Sequence, residues 1–287
     1  MQEKDETAID KEKLQRVIFE LYTTEETFNK SMQRVKALYE QVKDKKDIPQ
    51  ELRDGLAMCA NLADSPIRKP GNITKPSDIQ DPDAVIGMLH TAFNSPEYRE
   101  RLAVGPQAAQ ILQKYGNHPA FATLSKMIDD PQHQGLGSFM IQPTQRVPRY
   151  KLLFDEIRKL VHKESLEFSD SRKSQVSEMV VGADATAKRM MDYKSLYDFS
   201  QNPSMMSPDV ILGLEQKRYS PEEMKKKIDA LVQFKSSHDF LTEQYQKHSQ
   251  DPKKAAVFLA LIAVKTEFTP AQRMQAYLDL SKQIGRA

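Results

Sequence analysis

The sequence has no tryptophan, a single cysteine and only 10 glycines among 287 residues. Cys59 alone can form neither an intrachain disulfide nor a thiolate metal cluster, which fits a reducing compartment. Strand signals are missing as well. No alternating apolar pattern is bounded by Asn-Gly or Asp-Gly turns, so sheets are not expected. The longest apolar run, Ala255 to Val264, falls short of the roughly 18 residues that a membrane-spanning helix requires. Met1 to Lys13 is charged and lacks the apolar core of a signal peptide, so the expected location is the cytoplasm. Neither sign of charge dominates: 42 basic and 40 acidic residues leave a formal +2. A protein held to nucleic acid by phosphate neutralisation would carry more positive charge, so no nucleic-acid partner is expected.

The common chemical signatures are missing too. The histidines stand apart, without the i, i+4 pairs or acidic neighbours of a zinc site. Gly135-Leu136-Gly137 lacks the third glycine and the preceding strand of a dinucleotide loop, and no phosphate-binding lysine loop or serine elbow occurs. No cofactor, metal or catalytic nucleophile is therefore expected, and the chain is not read as an enzyme of covalent chemistry.

What the sequence does carry is helix punctuation. Asp81-Pro82, Ser95-Pro96, Asp130-Pro131, Ser207-Pro208, Ser220-Pro221, Asp251-Pro252 and Thr269-Pro270 each set a capping side chain before a proline, a favoured opening of a helix. Ser220 with Glu223, and Thr269 with Gln272, extend this to a full capping box. The expected fold is all-α.

Two stretches stand out. In the first, a helix of about residues 11–43, Leu14, Ile18, Leu21, Glu25, Phe28, Met32, Val35, Tyr39 and Val42 follow steps of four and three, a seam that is apolar except at Glu25. A carboxylate there must be paired, reach an edge or await a partner, because burying it alone is costly. The second stretch is 136–161, where Phe139, Ile141, Val147, Tyr150, Leu153, Ile157 and Leu160 suggest one buried helical face. Gln145 and Arg149 fall off that face. Pro143 is tolerable in a first turn, whereas Pro148 removes an interior hydrogen bond, so a bent or late-starting helix is expected.

Ser138-Phe139-Met140-Ile141-Gln142-Pro143-Thr144-Gln145-Arg146-Val147-Pro148-Arg149-Tyr150-Lys151-Leu152-Leu153 resembles the signature helix of Dbl-homology (DH) domains. Phe19-Glu20-Leu21-Tyr22-Thr23-Thr24-Glu25-Glu26-Thr27-Phe28 is similar to that family's first conserved segment. The resemblance covers about residues 10–200, strongly at these two segments and weakly between them. It implies an elongated DH-like helical bundle and guanine-nucleotide exchange on a Rho-family small GTPase, taken in its nucleotide-free or GDP form. By that analogy Glu25 meets the first switch of the GTPase, while Gln145 and Arg149 hold the second switch in a form that excludes Mg²⁺. Gln142 stands beside this surface where the family usually has lysine. Near the end of the last bundle helix, Met190-Met191-Asp192 occupies the register of an Ile-Asn-Glu triplet, so either exchange is weak or Asp192 or a neighbour, Lys188 or Lys194, replaces the missing asparagine.

The expected organisation is a DH-like domain over 1–200 and a helical C-terminal extension over 201–287, which holds three or four helices where eukaryotic relatives carry a pleckstrin-homology domain. That tail suggests a secreted bacterial effector acting in a host cytosol. Residues 64–82 read either as a flexible excursion or as a loop that reaches the partner. Lys43, Lys45, Lys46 and Lys225-Lys226-Lys227 are solvated faces or a peripheral contact with anionic lipid. Met190-Met191 and Met205-Met206 are core filler or an adaptable contact surface. The alternative function is a non-catalytic helical adaptor that binds a GTPase or trafficking partner without exchange.

Overall fold

A computed structural model describes residues 2–132, 134–200 and 220–284. The described residues form helices and no strand, as the cap-and-proline punctuation requires. They are α1 (Gln2–Val42), α2 (Gln50–Ala60), α3 (Pro82–Phe93), α4 (Pro96–Val104), α5 (Gln107–Tyr115), α6 (Pro119–Met127), α7 (Gly135–Val161), α8 (Asp170–Ser200), α9 (Pro221–Gln233), α10 (His238–Lys247), α11 (Pro252–Val264) and α12 (Pro270–Ile284). None of them is long and apolar enough to cross a membrane. The chain divides into two compact units, Met1–Met190 and Met191–Ala287, so the last turns of α8 belong to the second.

Most of the proline signals open helices through the expected hydrogen bonds. Asp81 accepts from the Ala84 N–H and Ser95 from that of Tyr98, while Ser220 and Thr269 form reciprocal boxes with Glu223 and Gln272. Asp130-Pro131 is different: it opens a turn, and the Asp130 carboxylate instead accepts from the Gly135 N–H, five residues on, at 2.5 Å. Gly135 holds φ at +76°, a conformation that costs a side-chain-bearing residue, and α7 starts there. Ser207-Pro208 and Met205-Met206 lie outside the described residues.

In the first unit, α1 packs against α2 and α7. Its seam is buried as spaced, except that Leu38 replaces the partly exposed Tyr39. The region read as a flexible excursion or a partner-reaching loop is anchored to the bundle: Ile67, Ile73 and Ile79 are buried, and Gln15 Nε2 donates to the Ile79 carbonyl at 2.8 Å, strapping 64–81 to α1. From the other side α8 lies along α3. Arg172 makes a two-pronged pair with Asp83, and His90 bonds Glu178 at 2.8 Å. Gly182 marks how close the helices come, since a Cβ there would meet Arg99 Nη1 at 2.8 Å and Phe93 Cε1 at 3.4 Å.

The second unit gathers α9 to α12 with the end of α8. Tyr193 meets Phe240 edge-on with ring centroids 5.0 Å apart, and Leu231, Phe234, Leu241, Leu259 and Ile262 complete an apolar centre. Lys265 is buried as well, its ammonium 3.2 Å from a Glu267 carboxylate oxygen and over the Phe234 ring.

Candidate functional site: a groove between α1 and α7

α7 is one helix from Gly135 to Val161 with both prolines in its interior, so it does not start late. Pro143 lies beyond the first turn, and room for its ring comes from Gly105, where a Cβ would stand 3.0 Å from Pro143 Cβ and 2.8 Å from Leu62 Cδ1. Ile141 is exposed, contrary to its placement on the buried face. The stripe that is buried steps through Phe139, Pro143, Arg146, Tyr150, Leu153, Ile157 and Leu160, alternating four and three. Ile141 is off that stripe, and Arg146 is on it.

Each packed helix therefore brings a charged residue into its seam at the same level, and the two meet. Glu25 is 1% exposed and Arg146 5%, and Arg146 Nη2 donates to Glu25 Oε2. Tyr150 donates to the same oxygen, while Tyr98 at 2.9 Å and Ser65 donate to Oε1. The two phenol oxygens lie 2.7 Å apart. The Arg146 guanidinium rests over the Tyr150 ring, 4.3 Å from its centroid. Burial pushes the hydroxyls of Tyr98 and Tyr150 well above their ordinary pKa, so both remain protonated donors across the physiological range. A carboxylate with this many donors and a guanidinium is satisfied rather than waiting for a ligand.

Glu25, expected to touch a partner, lies in this structure as an internal tie among α1, the 64–81 strap, α4 and α7. Asp192, offered as a substitute contact, is buried in the second unit, where it accepts from Ser236 Oγ at 2.9 Å. Lys188 is exposed on α8 and does not line the groove.

Above the buried tie runs an open groove of about 960 Å³ between α1 and α7. Gln142, Gln145 and Arg149 line it, so the structure brings these expected site residues together. The helices run antiparallel, because Asp10 pairs with Lys163, Glu25 with Arg146, and Thr23 to Arg34 face Leu152 back to Gln132. At one end, Arg149 Nη2 donates to Glu20 Oε1, and both side chains are nearly half exposed. Leu152 lies beside them at 62% exposure, an apolar side chain on the surface. Glu20 is the residue that sequence reasoning missed. Its signal was present, since Glu20-Leu21 opens the very segment in which Glu25 was singled out, and Glu20 lies off the Ile18–Leu21–Glu25 seam.

The sequence that builds this groove was compared with known families. No curated protein matches the chain. Residues 17–181 match the RhoGEF domain model, a span that holds α1 from Val17 onward, the whole of α7 and the groove between them. That span exceeds half of the 287 residues, and the chain belongs to the RhoGEF (Dbl-homology) domain family.

Proposed function

We propose that this protein is an exchange factor for a Rho-family small GTPase and that the α1–α7 groove is the surface that engages it. The observation that carries this reading is the pairing of Glu20 on α1 with Arg149 on α7 at an exposed edge, beside Gln145 and Leu152. These side chains offer a carboxylate, a planar fork of donors, an amide and an apolar contact within one patch, over a base held rigid by the Glu25 tie. An exchange factor forms and breaks no covalent bond. It binds the nucleotide-free GTPase more tightly than the loaded form, and linkage then obliges the nucleotide to bind its complex more weakly. In this reading Arg149 and Gln145 hold the second switch away from its Mg²⁺-binding form, and Glu20 takes the role first given to Glu25 at the first switch.

Release of fluorescent GDP from a panel of Rho and Rac GTPases tests the proposal. Arg149→Ala and Glu20→Ala are expected to slow release at least about tenfold, or ~1.4 kcal/mol, without loss of fold. No acceleration of any GTPase by the wild-type chain refutes it. The adaptor reading draws on one observation: in the register of the expected asparagine, Met191 is exposed and Asp192 is turned inward. A stable GTPase complex with unchanged nucleotide release would favour it.

A further inference from the structure

The groove extends well past the Glu20–Arg149 end. From Thr23 to Arg34 its α1 wall spans about 16 Å at ~1.5 Å per residue. At the far end stand Lys30 and Arg34 on α1, Gln132 and Gln134 before α7, and Gln142 on α7. Among the described residues, the lining contains Lys30, Arg34, Arg146 and Arg149 and no aspartate or glutamate. Arg146 is neutralised by Glu25 and Arg149 by Glu20, while Lys30 reaches only the solvent-exposed Glu26 at 2.9 Å, a pairing of small worth. Arg34, partly buried in the wall, pairs with no carboxylate among the described residues. The far end is therefore the part of the groove with uncompensated positive charge.

Its floor is equally specific. Thr144 Oγ1, two residues past Gln142 on α7, is buried and without a hydrogen-bond partner among the described residues, as is Arg146 Nε nearer the middle of the groove. Pro148 has no N–H, so the Thr144 carbonyl also lacks its usual helical donor. Donors and acceptors lie together there, and the glutamine amides around them supply both kinds. A simple anion needs donors alone. A polypeptide segment carrying carboxylates uses donors and acceptors together, with Arg34 as the planar fork for a carboxylate.

We propose that this far end, built on Arg34 and Lys30 with Gln142 and the Thr144 floor, is a second docking subsite that takes an acidic segment of the bound GTPase. The inference rests on the exchange-factor reading. It assigns the subsite to selection of the partner and encounter with it, leaving the release step to the Glu20–Arg149 end. Charge at such a distance from the reacting switch acts on association, so its removal raises KM and spares kcat.

The test measures exchange on the Rho and Rac panel against GTPase concentration at several salt concentrations, for wild type, Arg34→Glu, Arg34→Lys, Lys46→Glu and Arg149→Ala. Arg34→Glu is expected to raise KM about fivefold, equivalent to ~1 kcal/mol, with kcat unchanged and the salt dependence flattened. Arg34→Lys keeps most of the affinity. Lys46, exposed on the turn after α1 and outside the groove, serves as the charge control, and its reversal leaves KM alone. Urea midpoints equal to wild type establish that each variant is folded. An unchanged KM in Arg34→Glu while Arg149→Ala is inactive overturns the subsite and leaves the exchange reading standing. An equal effect of Lys46→Glu overturns it as well, since general charge would then suffice. A wild-type chain that accelerates no GTPase overturns both readings.

Discussion

Removing Arg146 should damage the fold before it damages any contact with a partner. Glu25 would remain buried with Tyr150, Tyr98 and Ser65 as neutral donors, having lost its one counter-charge. Breaking a buried pair from one side typically costs about 3–5 kcal/mol. A domain's whole stability is about 5–15 kcal/mol, so Arg146→Met should leave the first unit marginal. Glu25→Gln should cost somewhat less, about 2–4 kcal/mol, because an amide places N–H groups against donors where a carboxylate only accepted. Glu25→Leu combined with Arg146→Met should lose clearly less than the sum of the single changes. With both charges gone, Tyr98 and Tyr150 still hold each other at 2.7 Å. Urea denaturation of the wild type, Glu25→Leu, Arg146→Met and the Glu25→Leu/Arg146→Met double variant measures this coupling. The reasoning is wrong if Arg146→Met costs under ~1 kcal/mol, or if the single effects simply add. Normal stability with lost exchange in Glu25→Gln would return Glu25 to the contact surface.

Three further outcomes follow from the packing. Burial pushes the Cys59 thiol up to about 12, so a thiol reagent should modify it only when the first unit opens, making this cysteine a direct reporter of unfolding there. Gly105→Ala should destabilise by about 1–3 kcal/mol, read as a lower urea midpoint, because the added methyl meets Leu62 and the rigid Pro143 ring; an unchanged midpoint would show that α4 and α7 can separate freely. Acid should act on the two units in order. His248 is held below its usual 6.5 by burial and then by Lys254 and Lys247, so the unfolded chain takes up the proton first and the second unit loses stability as pH falls below about 6.5. Asp83 is held below its usual 3.8 chiefly by Arg172, so the α3–α8 tie is complete above that value and fades as pH falls below it. Tyrosine fluorescence of the wild type and of His248→Gln across this range checks the first step, whose slope the substitution should remove.

Much of the fold was legible because helices announce themselves locally. Capping side chains and prolines mark where α3, α4, α9, α11 and α12 begin, and the four-three spacing of α1 identified its seam almost residue by residue. The Asp130 signal misled because the same carboxylate can cap a helix five residues away once a left-handed glycine turns the chain. On α7, hydrophobicity alone chose Ile141 for the core over Arg146, although spacing from Phe139 and Tyr150 places the arginine on the stripe.

By itself, then, the sequence determined the helical class, the seam of α1, the family and the two segments that build the groove, because periodicity, caps and motif residues are properties of consecutive positions. Which acid on α1 faces outward was decided only in three dimensions. Glu25 is internal because Ser65, Tyr98, Arg146 and Tyr150 arrive from distant segments to donate to it, and Glu20 is external because it meets Arg149 off the seam. Periodicity can place a carboxylate on a buried face, but burial is tolerated only where the tertiary fold supplies enough donors, and no local pattern counts donors that come from elsewhere in the chain.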